Sequence, residues 1–246
     1  MRFFILFILF FSTLTQAQVV NIEGKRFLKD TNGFVGRTDF NFNINQNVQQ
    51  VLILGLNIHA QYVHNKNRIL AISDLSFFKA GKQDFVNSGF QHLRYNYKIA
   101  NRFTCEAFLQ KQYNLALQLN NRNLAGTGPR IKIWKKPKFK MYAACLYMYE
   151  FQVQNNDSIR EFNNRISAYV SFNIDLKKID FVSTTYYQPN LADFNDYRIA
   201  SDNVLEIIIT NRFNFRTGIN LLLDTQQPLR VPNLTYIYRN GLSFKF

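Results

Sequence analysis

Past its first eighteen residues the chain has no run of eighteen apolar residues, so no later segment could cross a membrane as a helix. Cysteine is nearly absent. Cys105 and Cys145 are the only two, and neither lies where a lipoprotein would be cut and acylated. Histidine is as scarce: His59, His64 and His92 are the full set. No His, Cys and carboxylate group shows metal-ligand spacing, so neither a metal centre nor another cofactor is expected. Acid is also in the minority, and the formal charge is +14, one less once Arg2 leaves with a leader. A balance this basic suits nucleic acid or anionic lipid.

The first residues choose between those two partners. Met1 and Arg2 give a short basic start, Phe3 to Phe11 is apolar, and Ser12 to Thr15 break the run. Thr15-Gln16-Ala17 then sets small residues at the minus-three and minus-one positions of a cleavage site. This tripartite pattern reads as a signal peptide over residues 1–17, cut after Ala17, because the apolar run is too short for a bilayer core of ~30 Å. An exported chain meets lipid phosphates first. Outer-membrane lipid is therefore the expected partner and nucleic acid is not.

What the chain does have is aromatic residues and a period of two. Aromatics make up 16%, with 25 Phe and 13 Tyr. Residues 18–32, with Glu23, Lys25, Arg26, Lys29 and Asp30, read as a polar periplasmic lead-in. From Gly33 onward, apolar and polar side chains alternate: Phe40, Phe42 and Ile44 against Asp39, Asn41 and Asn43, then Leu93, Tyr95 and Tyr97 against His92, Arg94 and Asn96. Successive side chains of a strand point to opposite faces, so each such run has one greasy and one polar face. The spacing predicts twelve strands, near 33–44, 50–62, 68–78, 88–99, 102–113, 120–133, 138–152, 162–174, 178–188, 201–210, 212–224 and 234–246. Ten remain if the third and ninth do not form. Strands of this length, apolar outside and polar inside, predict an all-β fold over residues 33–246: a closed antiparallel transmembrane β-barrel.

Connections support the same reading. Long ones near 79–87, 114–119, 153–161, 189–200 and 225–233 alternate with tight ones, as in outer-membrane barrels with short periplasmic turns. Trp134, Tyr147, Tyr149, Tyr186, Tyr187, Tyr236 and Phe246 stand near strand ends, where an aromatic girdle would sit. A final amphipathic strand ending in Phe246 is the signature of delivery to the outer-membrane assembly machinery.

Several stretches carry a resemblance. They are His92-Leu93-Arg94-Tyr95, Glu106-Ala107-Phe108-Leu109-Gln110, Arg122 to Gly128, Tyr149-Glu150, and Tyr187-Gln188-Pro189 through Asp196-Tyr197-Arg198. Through them most of the mature chain resembles the uncharacterised outer-membrane β-barrel family called domain of unknown function 481. The resemblance implies a barrel and leaves its activity open. Pro129 departs from the family pattern, where an apolar strand residue would fit better, and is expected to loosen its strand.

The polar face holds a dense charged set. Arg37, Arg94, Arg122, Arg130, Lys132, Lys140, Arg165, Arg216 and Arg239 face Asp39, Asp74, Glu106, Glu150 and Glu206. Across the fourth to eighth strands the sign alternates through Arg94, Glu106, Arg122 and Arg130, Glu150 and Arg165, which predicts cross-strand ion pairs in a lumen network. That network is expected either to fill the bore or to line a narrow path for a small anion or polar solute. Phe90, Phe108, Leu124, Tyr142, Leu146, Met148, Tyr169 and Ile237 share the face and exclude a wide pore. Gly126 and Gly128 are expected to make room for bulky neighbours. Cys105 and Cys145 point outward with a strand between them. They are about 9–10 Å apart, beyond disulfide reach of ~7 Å, and are expected to be free thiols.

No residue set demands catalysis, so no catalytic residue is expected. The leading expectation is an integral outer-membrane barrel, structural or a narrow anion-preferring channel. The alternatives are a lipid hydrolase, with His92 as base near Ser88 and Asn87, and a surface-binding protein using the 189–200 loop. Basic residues at the tight turns, among them Lys66, Arg102 and Lys178, suit headgroup contact at the periplasmic rim.

Overall fold

In the computed structural model, residues 22, 32–46, 50–80, 86–115, 118–154, 159–210, 213–227 and 232–244 are described. The signal peptide, all of the lead-in but Ile22 and Asn32, and Phe246 lie outside these residues, as do the side chains of Arg37, Asp39, Arg216, Ile237 and Arg239.

Period-two sequence becomes strand throughout. The elements are β1 (Gly33–Gln46), β2 (Gln50–His64), β3 (Asn67–Ala80), β4 (Val86–Lys98), β5 (Phe103–Asn114), β6 (Leu119–Lys136), β7 (Phe139–Gln154), β8 (Ile159–Asp175), β9 (Ile179–Pro189), β10 (Tyr197–Ile208), β11 (Phe213–Asp224) and β12 (Leu234–Phe244). They form one twelve-stranded sheet in sequence order, and every neighbouring pair is antiparallel. The third and ninth strands are present, so the described residues form twelve strands rather than ten.

Burial follows the pleat. On β5, Glu106, Phe108, Gln112 and Asn114 are buried while Cys105, Ala107, Leu109 and Lys111 are exposed. A single sheet without a second layer leaves both faces open to solvent if it is flat. Here Met148, Glu106 and Glu150 on one face are 0% exposed, while Phe34 and Tyr236 on the other are 73% and 65% exposed. The sheet therefore curls round its own polar face, and the core lies inside that curl.

Local departures from regularity gather around β6. The ladder to β7 runs from Thr127↔Tyr147 to Arg130↔Ala144, passing over Gly128 and Pro129, and shifts again between Lys132 and Trp134. Proline has no N–H to give to a ladder, and an extra residue bends its strand. The opposite edge of β6 stays in register past the proline, with Cys105↔Pro129 intact, and shifts only between Gln112 and Asn114. The tight turn after β2 places Asn65 at φ 53, a left-handed conformation that asparagine tolerates better than most residues.

Three expectations are corrected. Strands run further than the spacing suggested, so connections expected at 114–119 and 153–161 shrink to the gaps between Asn114 and Leu119 and between Gln154 and Ile159. The tenth strand begins at Tyr197 rather than 201, which reduces the 189–200 loop to residues 190–196. Tyr186 is not on the aromatic outside. It is buried, with its ring 5.1 Å from that of Tyr169, whereas Trp134, Tyr147, Tyr149, Tyr187 and Tyr236 are exposed. Cys105 and Cys145 are both free and exposed.

Candidate functional site

Two carboxylates organise the inner face. Glu106 is the fourth residue of β5 and opposes Asn96 on β4 and Gly128 on β6. Arg94 Nη1 donates to its Oε2 at 3.0 Å, and Arg130 Nε lies 3.7 Å from Oε1. Asn96 Nδ2 donates to Oε1, and Tyr169 Oη, three strands away on β8, donates to Oε2 at 3.0 Å. Each arginine also rests on an aromatic ring: Arg130 sits 3.9 Å from the centre of Tyr142, and Arg94 sits 5.3 Å from that of Phe108. A guanidinium over a ring face gains cation–π attraction where water is scarce.

Glu150, near the far end of β7, is the second centre. Arg165 Nε on β8 donates to its Oε2 at 2.7 Å, and Arg198 Nη1 on β10 reaches both oxygens at 2.8 Å. Arg122 Nε on β6 is an ion-pair contact at 2.8 Å, though not at a hydrogen-bonding angle. Two further acids complete the set. Arg165 Nη2 donates to both oxygens of Asp196 at 2.9 and 2.7 Å, and Arg198 Nε donates to Asp224 at 2.6 Å. Three guanidiniums thus meet three carboxylates, all buried. Burial of one ion without a partner would cost several kcal/mol, whereas mutual pairing of opposite charges offsets much of that cost.

The six residues singled out in the sequence fall into these two clusters. Arg94, Glu106 and Arg130 form the first, and Arg122, Glu150 and Arg165 the second. Arg198, Asp196 and Asp224 escaped that reading. The two aspartates border long connections and turn inward onto the arginines. A signal existed: Arg198, Ala200 and Asp202 continue the period-two face back from 201. Of the other charged candidates, Asp74 pairs with His59 at 3.2 Å, Lys132 Nζ donates to the Asn101 carbonyl, and Glu206 accepts from Asn214.

Apolar side chains fill the space between the clusters. Phe108, Leu124, Leu146, Met148, Tyr169, Tyr186, Ala200 and Leu222 form one buried group contributed by strands from β5 to β11. Gly126 makes this possible, because a Cβ there would meet the Phe108 ring at 2.4 Å. Ile22, from the stretch ahead of β1, is buried with Leu70, Ile72 and Phe90. It also reaches a cavity of about 30 Å³ beside Arg94, Gln112, Arg122 and Gln188, roughly one water's share of volume.

His92 is held on all sides. Its Nε2 accepts from Arg94 Nε at 3.2 Å, so a neutral ring carries its proton on Nδ1, which lies 3.0 Å from Gln110 Oε1. Phe90 and Phe108 stack on the ring with centroids 6.0 and 5.4 Å away. Both nitrogens are engaged, as suits a structural histidine. No group of three His, Cys, Asp or Glu residues that could hold a metal occurs among the described residues.

The chain belongs to the family described as "Protein of unknown function, DUF481", which matches residues 36–246. No curated protein matches it. Among solved structures, one titled "NanC porin structure in rhombohedral crystal form" is similar at 12% identity and a TM-score of 0.49, covering 79% of this chain and 94% of that one.

Proposed function

We propose that β12 closes on β1 to make a barrel spanning the outer membrane of a Gram-negative envelope, and that its packed bore makes it a non-enzymatic membrane scaffold rather than a diffusion pore. The observation that carries this reading is the pairing of an exposed aromatic and aliphatic face with an inner face on which Glu106, Glu150 and Met148 are 0% exposed. Lipid cannot satisfy the open backbone groups of a sheet edge, so a sheet that presents apolar side chains outward to lipid is stable only when closed. An even strand number returns both termini to the same side, as export through a cleaved leader and insertion from the periplasm require. The engaged ring of His92 weighs against the hydrolase alternative.

A narrow anion-preferring channel is the second reading. What favours it is the small cavity between Arg94 and Arg122, whose polar walls include Gln110, Ser167 and Gln188. Planar-bilayer recording separates the two. The scaffold predicts no unitary conductance. Steady anion-selective steps would overturn it in favour of the channel. Heat-modifiable gel mobility tests the barrel itself: a product that stays compact and monomeric in buffer without detergent ends both readings.

A further inference from the structure

The outward face is not uniformly apolar. Near the long-loop end of β4 to β6, Gln91, Lys111 and Asn123 are successive cross-strand partners and form one lateral polar row. The next row toward the tight turns is Leu93, Leu109, Ala125 and Tyr149, again paired strand to strand. One pleat repeat, about 7 Å, separates the two rows. Between them lies an external furrow of about 550 Å³ lined by residues of both, within the range of small-molecule sites.

Residue size shapes this furrow. Ala125 provides a low floor between Leu109, which is 60% exposed, and Tyr149. Toward the long loops the Tyr113 ring lies across Gly89, where a Cβ would meet it at 2.3 Å, and Tyr113 Oη donates to Asn87. Lys111 is exposed at the boundary, and no ion pair holds it among the described residues. A lysine on a lipid-facing strand is costly at mid-depth and tolerated at headgroup depth, where phosphates supply the counter-charge.

We infer that this furrow binds one anionic, phosphate-bearing lipid. Its headgroup phosphate would sit on the Lys111 ammonium, with the Gln91 and Asn123 amides donating beside it, and its acyl chain would run along Leu93, Leu109 and Tyr149. The inference rests on the barrel reading above and goes beyond it by fixing a lipid class to a place on the wall.

Native mass spectrometry of the full-length mature protein in neutral detergent tests it, using phosphatidylglycerol, phosphatidylcholine and inorganic phosphate as probes. Wild type should retain one phosphatidylglycerol in preference to phosphatidylcholine. Lys111→Gln should weaken that retention about tenfold, the effect of losing a charge-assisted contact. Lys111→Arg should keep it. Leu109→Asn should weaken lipid binding through the chain contact. Equal retention by Lys111→Gln, equal affinity for phosphatidylcholine, or displacement by equimolar inorganic phosphate would overturn the proposal. A heat-modifiable barrel that retains no lipid sinks this inference alone, whereas a protein compact without detergent sinks the barrel reading as well.

Discussion

The two carboxylate centres do different jobs with the same chemistry. Glu106, toward the tight turns, draws its cations from the strands on either side, Arg94 on β4 and Arg130 on β6. Tyr169, which reaches it from three strands away, is uncharged. Glu150, toward the long loops, draws cations from β6, β8 and β10, and through them gathers Asp196 from the 190–196 loop and Asp224 from the end of β11. The first centre reinforces strand register, because its ion pairs duplicate what the ladder already fixes. The second spans strands that do not touch and ties a loop to the wall. A cluster that supplies contacts the ladder cannot should matter more to the assembled shape.

Removing each carboxylate tests that difference. Glu150→Ala leaves Arg122, Arg165 and Arg198 in a buried space without their shared counter-charge, and should cost about 3–5 kcal/mol. Urea unfolding in lipid vesicles, followed through Trp134, the single tryptophan, measures it. Glu106→Gln keeps the shape and an accepting oxygen but removes the charge facing Arg94 and Arg130, and should cost about 2–3 kcal/mol. If the order reverses, the register-reinforcing centre is the dominant one and the comparison fails.

The sequence made the first centre legible and hid half of the second. Arg94, Glu106, Arg122, Arg130, Glu150 and Arg165 all lie mid-strand, where every second residue faces inward, so period two alone puts them on one face with alternating sign. Arg198 and Asp196 sit where β10 begins, and Asp193 to Asp196 has the polar character of a loop. Alternation cannot say that a loop folds inward. That depends on Asn190, whose backbone N–H donates to the Asp196 carbonyl and whose side chain donates to its carboxylate. Tyr186 and Tyr187 teach the opposite. Adjacent strand residues face opposite sides, so alternation itself keeps both from sharing the outer girdle, and Tyr186 turns in while Tyr187 turns out. Ile22 was beyond reach for another reason, since Val19, Val20, Ile22, Phe27 and Leu28 keep no sustained period of two.

Loop anchoring gives a smaller and more local effect. Asp196→Asn keeps the bulk but removes the charge that holds Arg165, while Glu150 still neutralises the guanidinium. The expected cost is about 1–2 kcal/mol. The sharper readout is proteolysis within 190–196, where Leu191 and Phe194 are exposed. Cleavage should accelerate in Asp196→Asn and stay at the wild-type rate in Glu106→Gln. Equal acceleration in both would mean that the two centres are not separate units.

Tyr169→Phe should have the least effect and isolates a bond by which the first centre spans non-adjacent strands. The substitution deletes a single hydroxyl donor to Glu106 Oε2 and preserves the ring that packs against Tyr186. Arg94 still donates to that same oxygen, and Asn96 to the other, so the carboxylate is not orphaned and the cost should be about 1 kcal/mol. In the Glu106→Gln background the hydroxyl would face an uncharged amide, and its removal should cost less than it does beside the carboxylate. A double-mutant cycle therefore reads the coupling between Tyr169 and the charge on Glu106 directly. A coupling near zero would mean that the bridge from β5 to β8 is carried by the apolar packing of Phe108, Met148 and Tyr169 alone. The first centre would then be purely a matter of neighbouring strands, and its contrast with the second would be sharper still.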